Sequence, residues 1–476
     1  MSRSPIDLTP EEFRALGYKA VDLIAAQIAN HRERTTRQPV PHDLRDALMH
    51  MPLNDEPADA SQLIEDVAER ILAYPMGNNS PRFFSWINSP VAPMGIIAEM
   101  IAAAHNASVA GGDHSATYVE HGVLNWFKEW FHFPQDAGGL LVSGGSMANI
   151  IGLAVMRHVK TGGSVRKHGL SEQGRMTIYT STQGHGCIQK AIELLGFGDD
   201  ALRRIAVDVD FQIDVDALAA KIAEDRANGF IPVCVAISVG TVNTGAIDPI
   251  NAVADLCERE GLWLHVDGAY GAVGILAPQV THLYAGIERV DSLAVDPHKW
   301  LYVPIECGVA LVKDAQAMRD TFAVMPPYLR DDRQLPWFSE FGVQQTRGFR
   351  ALKLWLVLQQ VGLDGYRQLL QNDIDRSYEL RAKIEEREGF ELVAAGPLSI
   401  CTFVYAPNPA SDVDQLQRDI ATHVQASGEA FITTTMIHGR TVLRACIVNF
   451  RTTEADLDRL LDAVVVAAQE KMMVEM

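Results

Sequence analysis

The chain has 476 residues, of which 47% are hydrophobic and 21% are charged, as is typical of a soluble globular protein. Its net charge of −19 disfavours nucleic acid or an anionic membrane as a partner, because both require a basic surface. The six cysteines lack CxxC spacing, as expected of reduced thiols. There is no apolar signal segment, and no run reaches the roughly 18 apolar residues of a membrane span. We therefore expect a cytoplasmic protein.

The first two-thirds of the chain predict an α/β fold. Residues 10–32 form an amphipathic pattern, which could pack on its own domain or on a partner subunit, and a polar stretch follows at 35–57. Short apolar strands then alternate with helical segments, which favours a mostly parallel sheet with helices on both faces. The predicted strands lie at 140–142, 177–179, 232–239, 262–266, 292–295 and 308–312.

The last third predicts a small α+β domain. Residues 317–345 look irregular, as in a lid or binding loop, and two helices follow at 347–361 and 364–386. The remaining pattern predicts strands at 390–393, 399–405 and 442–448 and helices at 413–426 and 454–471. We expect an N-terminal helical segment for dimerisation (1–80), a large domain (81–360) and a small C-terminal domain (361–476).

Lys299 is the most informative residue. It lies in Asp-Pro-His-Lys-Trp (296–300), directly after the apolar run 290–295. Partial desolvation lowers the pKa of an amine, and a neutral amine can form a Schiff base with an aldehyde. The alternative is a lysine whose ammonium group reaches water from the end of a strand.

Other predicted strand ends carry groups that suit a phosphorylated aromatic aldehyde. Gly144-Gly145-Ser146 joins a strand to a helix whose N-terminus could bind phosphate, although a glycine turn with a serine N-cap is the simpler interpretation. Asp267 could pair with a ring nitrogen or could cap a turn. His185, between two glycines, could stack on a ring or transfer a proton, and Thr241 adds a hydroxyl group.

Together these segments resemble the pyridoxal-phosphate (PLP) enzymes of the aspartate-aminotransferase fold, fold type I, and more narrowly the group II amino-acid decarboxylases. The most specific segment is Asp-Pro-His-Lys-Trp (296–300). The others are Val-Ser-Gly-Gly-Ser-Met-Ala-Asn (142–149), Gly-His-Gly (184–186), His-Val-Asp-Gly-Ala-Tyr-Gly (265–271), Arg-Gly-Phe-Arg-Ala-Leu-Lys-Leu-Trp (347–355) and Leu-Arg-Ala-Cys-Ile-Val-Asn-Phe-Arg-Thr-Thr (443–453).

The resemblance implies a role for each matched residue. It implies that Lys299 forms the Schiff base, that Asp267 pairs with the pyridine nitrogen and that His185 stacks on the ring. It further implies phosphate contacts from Gly145, Ser146 and His298, packing of Ala269 under the ring, and Thr241 near the cofactor or substrate. It also implies a homodimer whose active sites use both subunits, with residues 10–32 exchanged between them.

The implied reaction is decarboxylation of an L-amino acid to an amine and CO2. On the mobile loop, Phe338 aligns with a tyrosine tied to protonation in aromatic decarboxylases, and relatives with phenylalanine there produce aldehydes using O2. Tyr328, on the same loop, could substitute for that tyrosine. The predicted substrate pocket, formed by Trp86, Asn88, Asn106 and Ser108, favours an aromatic or a hydroxylated or otherwise polar side chain.

A serine hydrolase is the remote alternative. Ser146, Asp267 and His298 follow the chain order of a nucleophile-elbow triad, but Ala148 replaces the final glycine and Lys299 is left without a role. A metal centre at His185 and Cys187 lacks a third ligand at suitable spacing, so no metal site is predicted.

Overall fold

The computed structural model describes residues 4, 6–324, 335–407 and 412–475, with side chains as far as residue 471. Its α-helices are α1 (Pro10–Ala29), α2 (His42–Met49), α3 (Ala60–Arg70), α4 (Pro93–His105), α5 (Ser115–Trp130), α6 (Gly145–Lys160), α7 (Val165–His168), α8 (Gly186–Leu194), α9 (Val215–Ala227), α10 (Ile250–Glu260), α11 (Pro297–Trp300), α12 (Ala315–Phe322), α13 (Ala351–Glu386), α14 (Val413–Ser427) and α15 (Glu454–Glu475). None of these described helices is long and apolar enough to cross a membrane.

Two sheets contain the described strands. The strands are β1 (Gly138–Val142), β2 (Met176–Ser181), β3 (Leu202–Ile205), β4 (Ile231–Ser238), β5 (Trp263–Asp267), β6 (Ser292–Val295), β7 (Gly308–Val312), β8 (Phe390–Ala395), β9 (Ile400–Tyr405), β10 (Thr433–Ile437) and β11 (Arg440–Cys446). Short 3₁₀ helices lie at Asp199–Ala201, Ala272–Leu276, Thr281–Tyr284, Ile287–Arg289 and Phe338–Glu340.

The large sheet is mostly parallel, as predicted. Its order is β1-β7-β6-β5-β4-β2-β3, and only β7 within it runs antiparallel to its neighbours. Strands β1, β2, β5, β6 and β7 are buried along their whole length, which explains their continuous apolar runs. Helices α6, α9 and α10 pack against the sheet. The carboxyl ends of β5, β4 and β6 therefore lie side by side, where a site is expected.

The small sheet is antiparallel throughout, in the order β10-β11-β9-β8. It shares a separate apolar core with α14 and α15, which confirms the fold class of a second, smaller α+β unit. Strand β10 was not expected from its threonine-rich sequence. Phe84 packs into this second core, although residue 84 falls within the predicted large domain. Gly362, at φ 72°, interrupts α13 beside the predicted boundary at 360/361.

The N-terminal region is more helical than its sequence suggests. Helix α1 begins at a capping box formed by Thr9 and Glu12, and no residue of this helix is buried. Helix α2 lies within the stretch expected to be polar linker, at 35–57. Helix α12 likewise occupies part of the segment expected to be irregular, at 317–345. Arg32 anchors the segment after α1 to Asp456, with nitrogen–oxygen distances of 2.8 and 2.9 Å.

Candidate active site

A cavity of about 810 Å³ lies at the carboxyl ends of the central strands. Its position follows from the parallel strand order, because loops after neighbouring parallel strands meet at one edge of the sheet. It is lined by every residue predicted to contact the cofactor, namely Gly145, Ser146, His185, Thr241, Asp267, Ala269, His298 and Lys299.

Lys299 lies on the single turn of α11, directly after β6. Its Nζ is 3.0 Å from Oδ2 of Asp296, and its side chain is 25% exposed. Asp296 is itself buried, and its Oδ1 has no hydrogen-bond partner among the described residues. The lysine therefore faces the cavity as part of an ion pair and does not reach bulk water as a free ammonium group.

Asp267 ends β5 and presents its carboxylate to the cavity from a buried position, 8% exposed. Oδ1 accepts a hydrogen bond from the backbone N–H of Ala269 at 3.2 Å. Oδ2 accepts from the thiol of Cys187 at 3.5 Å. Burial, and then the charge of Asp267, raise the pKa of this thiol, so Cys187 remains a donor at neutral pH.

The N-terminus of α6 lines the cavity through Gly145 and Ser146. Gly144 is the N-cap and no side chain caps the helix, so the serine N-cap interpretation of Ser146 is wrong. A Cβ atom on Gly145 would lie 2.8 Å from Oδ2 of Asp296 and 2.9 Å from Cβ of Ala269. Free N–H groups and positive potential at this end suit an anion. His298 lies beside it, with Nδ1 2.7 Å from the carbonyl oxygen of Cys307.

His185 caps the N-terminus of α8, where its Nδ1 accepts a hydrogen bond from the N–H of Cys187 at 3.2 Å. Its ring is exposed and lines the cavity. Thr241 is buried, and its Oγ1 is 3.0 Å from Oγ1 of Thr244 and 3.1 Å from the N–H of Ala246. The position of the His185 ring is compatible with stacking on a flat ligand.

Four residues were predicted to form the substrate pocket. Trp86 and Asn88 line the cavity. Asn106, the left-handed C-cap of α4, and Ser108 are exposed and do not line the cavity of their own chain. Their assignment remains a prediction for a site shared between subunits.

Of the two residues predicted on the loop, Phe338 and Tyr328, the structure describes only Phe338. Phe338 is 1% exposed and does not line this cavity. Its ring lies 4.4 Å from the ring of His121, with the guanidinium carbon of Arg347 5.1 Å from its centroid. Tyr328 lies outside the described residues.

Arg444 on β11 also lines the cavity, although its sequence pattern predicted no role for it. It is 4% exposed; Nε donates to the carbonyl oxygen of Val242 at 2.7 Å and Nη1 to that of Trp86 at 3.1 Å. Nη2 is buried without a hydrogen-bond partner among the described residues. Nearby, burial raises the pKa of the Cys446 thiol to about 11, and the Arg444 charge opposes part of that shift. The sequence did contain one indication of a role for Arg444. It lies in an apolar strand, and a buried arginine needs a partner for its charge.

The side chains do not form a hydrolase triad. Among the described residues, no hydrogen bond joins Ser146, His298 and Asp267. The fold does bring a third possible metal ligand, the carboxylate of Asp267, close to His185 and Cys187. The candidate ligand atoms of the three residues lie within 4.8 Å of one another. Their spacing along the sequence did not predict this group. The contacts within this group are hydrogen bonds: the Cys187 thiol donates to Asp267, and Nδ1 of His185 accepts from the N–H of Cys187.

Residues 41–406 match the family model described as "Pyridoxal-dependent decarboxylase conserved domain". The chain belongs to the pyridoxal-dependent decarboxylase family. This decarboxylase is 32% identical to an aromatic-L-amino-acid decarboxylase of Bacillus atrophaeus, over 98% of its own chain and 97% of the relative. It is 27% identical to a phenylacetaldehyde synthase of a Rosa hybrid cultivar, over 92% and 90% of the two chains.

A solved structure extends the likeness to the fold. The glutamate decarboxylase domain of a diaminobutyrate-pyruvate transaminase and L-2,4-diaminobutyrate decarboxylase from Vibrio parahaemolyticus superposes with a TM-score of 0.88 at 27% identity, covering 99% of this decarboxylase and 98% of that chain. The predicted family, fold type I and enzyme class are therefore confirmed: this is a PLP-dependent carboxy-lyase.

The residues present fit the cofactor. An uncapped helix N-terminus suits the phosphate, an exposed imidazole inside the cavity suits the ring face, and the Asp267 carboxylate suits a protonated ring nitrogen. The glycine at position 145 keeps this space open, because a side chain there would overlap its neighbours.

Proposed function

We propose that this enzyme decarboxylates an L-amino acid with an aromatic, hydroxylated or otherwise polar side chain, giving the amine and CO2. The observation that carries the proposal is the convergence of Lys299, Asp267, His185 and the N-terminus of α6 on one cavity. Bound PLP would supply an electron sink for the bond that breaks at Cα. The chain would supply binding, orientation and control of protons.

In this proposal Lys299 carries the cofactor through its Nζ. Asp296 would hold the ammonium group of Lys299 whenever Nζ is not attached to the cofactor, because its Oδ2 lies 3.0 Å from Nζ. Asp267 pairs with the pyridine nitrogen. Gly145, Ser146 and His298 would hold the phosphate at the N-terminus of α6, where the free N–H groups favour an anion.

His185 would stack on the cofactor face, with Ala269 on the other side. Its Nδ1 accepts from the backbone, so in the neutral ring the proton is on Nε2. Thr241, anchored by Ala246 and Thr244, would lie near the cofactor oxygen or the substrate.

The α-carboxylate of the substrate would bind to Arg444. Two of its nitrogens are held by carbonyl oxygens, which fixes the guanidinium plane at the cavity lining. An arginine held in this way can orient a carboxylate so that the breaking bond stands perpendicular to the cofactor ring.

We predict that Arg444→Lys lowers kcat/KM by about 10- to 100-fold, because the lysine keeps the charge but loses the planar guanidinium that two backbone carbonyl oxygens hold in place. Inhibition by the product amine, which has no carboxylate, should not change, and neither should the visible cofactor band. Arg440→Lys is the matched control, since Arg440 lies at the other end of β11 and pairs with Glu391 outside the cavity. A wild-type kcat/KM for Arg444→Lys would refute the carboxylate role.

The side-chain preference is inferred from the rest of the lining. Trp86 offers an aromatic surface, while Asn88, Asn243, Gln425 and Thr434 offer hydrogen-bonding groups. This mixture suits a ring with a hydroxyl group, or another polar side chain, better than a plain aliphatic one. The relative from Bacillus atrophaeus, named for aromatic L-amino acids, supports the aromatic half of this preference.

A second candidate reaction is O2-dependent conversion of the amino acid to an aldehyde, with release of ammonia and CO2. The phenylacetaldehyde synthase relative favours it, as does Phe338 at the predicted loop position. Because Phe338 is buried away from the cavity of its own chain, decarboxylation to the amine remains our first choice.

Product analysis tests the proposal. The PLP-loaded enzyme is incubated in air with L-tyrosine, L-dopa, L-tryptophan, L-phenylalanine, L-glutamate, L-aspartate and L-ornithine, and CO2, amine, aldehyde, ammonia and peroxide are measured, with Lys299→Ala as the inactive control. Amine and CO2 without peroxide from an aromatic or polar substrate would support decarboxylation. Aldehyde with ammonia and peroxide would support the second candidate. Turnover of none of these substrates would overturn both.

We further propose a cytoplasmic homodimer whose active sites use both subunits. Helix α1 has no buried residue in the single chain, and Phe13 and Tyr18 on it are 62% and 66% exposed. Met100 and Ile101 on α4 are 52% and 48% exposed. Apolar surface of this kind is typical of a protein interface, and a second subunit would also give Asn106 and Ser108 a site to reach.

A further inference from the structure

Beneath the active site, a chain of hydrogen bonds runs through the protein interior to Asp267. The indole N–H of Trp263 donates to Oγ of Ser292 at 2.8 Å. Oγ of Ser292 is 2.8 Å from Nδ1 of His265, whose Nε2 is 2.7 Å from Oδ1 of Asn149. Nδ2 of Asn149 is 3.2 Å from Sγ of Cys187, which is 3.5 Å from Oδ2 of Asp267. We call the five residues before Asp267 the relay: Trp263, Ser292, His265, Asn149 and Cys187.

The two ends of the chain fix the direction of every bond in it. An indole can only donate and a carboxylate can only accept. The thiol of Cys187 must therefore donate to Asp267 and accept from the amide nitrogen of Asn149. The Asn149 oxygen must then accept from Nε2–H of His265, which leaves Nδ1 to accept the Ser292 hydroxyl proton. Complete burial lowers the pKa of His265 to about 4, so the imidazole is neutral at pH 7 and carries the single proton that this arrangement requires.

The relay is buried and tightly packed, although Asn149 and Cys187 also line the cavity. His265, Asn149 and Ser292 are fully buried. Gly152 lies one turn after Asn149 on α6, where a Cβ atom would stand 2.8 Å from Cε1 of His265 and 3.0 Å from Oγ of Ser292. The absence of a side chain at Gly152 thus makes room for the imidazole of His265. The same helix, α6, carries Asn149 of the relay and, at its N-terminus, Gly145. Buried polar groups of this kind are retained when their hydrogen bonds are all satisfied.

We propose that the relay sets the orientation of the Asp267 carboxylate toward the cofactor ring, which makes Cys187, Asn149 and His265 positioning residues for PLP. The inference rests on the proposed pairing of Asp267 with the pyridine nitrogen. The N–H of Ala269 holds Oδ1 and the thiol holds Oδ2, so together they fix the carboxylate plane before the cofactor arrives. Without the thiol, one oxygen loses its donor and the carboxylate can rotate away from the ring nitrogen.

The test compares cofactor binding among variants of one side chain. Cys187→Ala removes the last donor of the relay, and Cys187→Ser keeps a donor at the same atom. The dissociation constant for PLP is measured by fluorescence titration of the apoenzyme without any amino acid, and the visible band of the holoenzyme is recorded across pH. We expect Cys187→Ala to raise the dissociation constant about tenfold and to shift the pH at which the band changes. Cys187→Ser should restore both to near wild type.

Two further variants separate positioning from stability. Cys257→Ala removes another buried thiol of the large domain, on α10 and outside the relay, and should leave PLP binding unchanged. Asn149→Asp replaces the amide donor with a carboxylate oxygen, so it should weaken binding as Cys187→Ala does while thermal unfolding shows a folded protein.

The outcomes are distinct. If Asp267→Asn weakens PLP binding but Cys187→Ala does not, the relay is refuted and Asp267 keeps its role. If Asp267→Asn also binds like wild type, the pairing of Asp267 with the ring nitrogen fails, and the relay fails with it. Equal losses in Cys187→Ala, Cys187→Ser and Cys257→Ala would mean that only packing is involved, which also refutes the relay. Because no substrate is used, the choice of amino acid or product affects none of these results.

Discussion

Asp373 stabilises the segment that carries Lys299, although it lies outside the cavity. Its Oδ2 accepts hydrogen bonds from Nε1 of Trp300, at 2.8 Å, and from the hydroxyl group of Tyr302. Trp300 follows Lys299 directly and stacks on Tyr270 with ring centroids 4.9 Å apart. Burial raises the pKa of Asp373 to about 7, from 3.8 in an open chain, so this carboxyl group titrates near neutral pH in the folded protein.

The sign of the pH effect follows from that shift. Between about pH 4 and pH 7, Asp373 holds a proton in the folded protein that it has lost in the unfolded chain. The contribution of this group to the free energy of unfolding therefore falls as the pH rises through this range. Asp373→Asn keeps an acceptor for Trp300 and Tyr302 without the titration. We expect its stability relative to wild type to improve by up to about 3 kcal/mol between pH 5 and pH 8, because only the part of the shift above pH 5 is sampled. The measurement is urea unfolding at both pH values.

Asp375→Asn is the control, because this residue lies on the same helix but is exposed. Its stability difference from wild type should be nearly the same at pH 5 and pH 8. If Asp373→Asn behaves in this way too, Asp373 does not titrate as stated.

At the scale of one element, α6 serves both the site and the interior. Its uncapped N-terminus faces the cavity at Gly145, and its next turns carry Asn149 and Gly152 beside His265. A single helix thus links the predicted phosphate contact to the relay beneath Asp267. Two glycines, Gly145 and Gly152, allow the helix to pack this closely on β5 and β6. At each of them a Cβ atom would lie less than 3.0 Å from neighbouring atoms.

We predict that Gly145→Ala weakens PLP binding at least tenfold, because its methyl group would overlap Asp296 and Ala269 where the phosphate is expected. The dissociation constant of PLP is the readout. Gly122→Ala in α5 is the control, since nothing lies within 4 Å of a Cβ atom there, and it should gain about 0.5–1 kcal/mol of stability from helix propensity alone. Wild-type affinity in Gly145→Ala would contradict the phosphate assignment.

At the scale of the whole molecule, the single chain leaves much apolar surface on α1 and α4 without contacts inside the chain. We expect the enzyme in solution to have twice the mass of one chain by light scattering. Phe13→Glu with Tyr18→Glu should give a single-chain mass and low activity, because burying each apolar side chain contributes about 1.5–3 kcal/mol. Val209→Glu, at an 89% exposed turn residue, should remain a dimer. A wild-type enzyme with the mass of one chain would refute the proposal.

Local patterns predicted much of the fold and of the cofactor cavity. Apolar runs ending in a polar residue marked β5 at Asp267 and β6 before Lys299, because a strand buried on both faces cannot carry polar groups until it ends. Strand β10 was missed, since Thr433–Ile437 is only partly buried and its alternation is weak. Helices α2 and α12 were missed because short helices carry little periodic signal.

The sequence by itself determined the strand ends, the place of Lys299 directly after one of them, and the family. Each of these depends on short segments, in which neighbours along the chain are also neighbours in one turn or strand. Only the tertiary structure decided which distant side chains meet. It brought Arg444 of the small sheet into the cavity, placed Phe338 against His121 instead, and aligned Asn149, Cys187 and His265 beneath Asp267. These contacts follow from strand order and helix packing, which sequence periodicity does not specify.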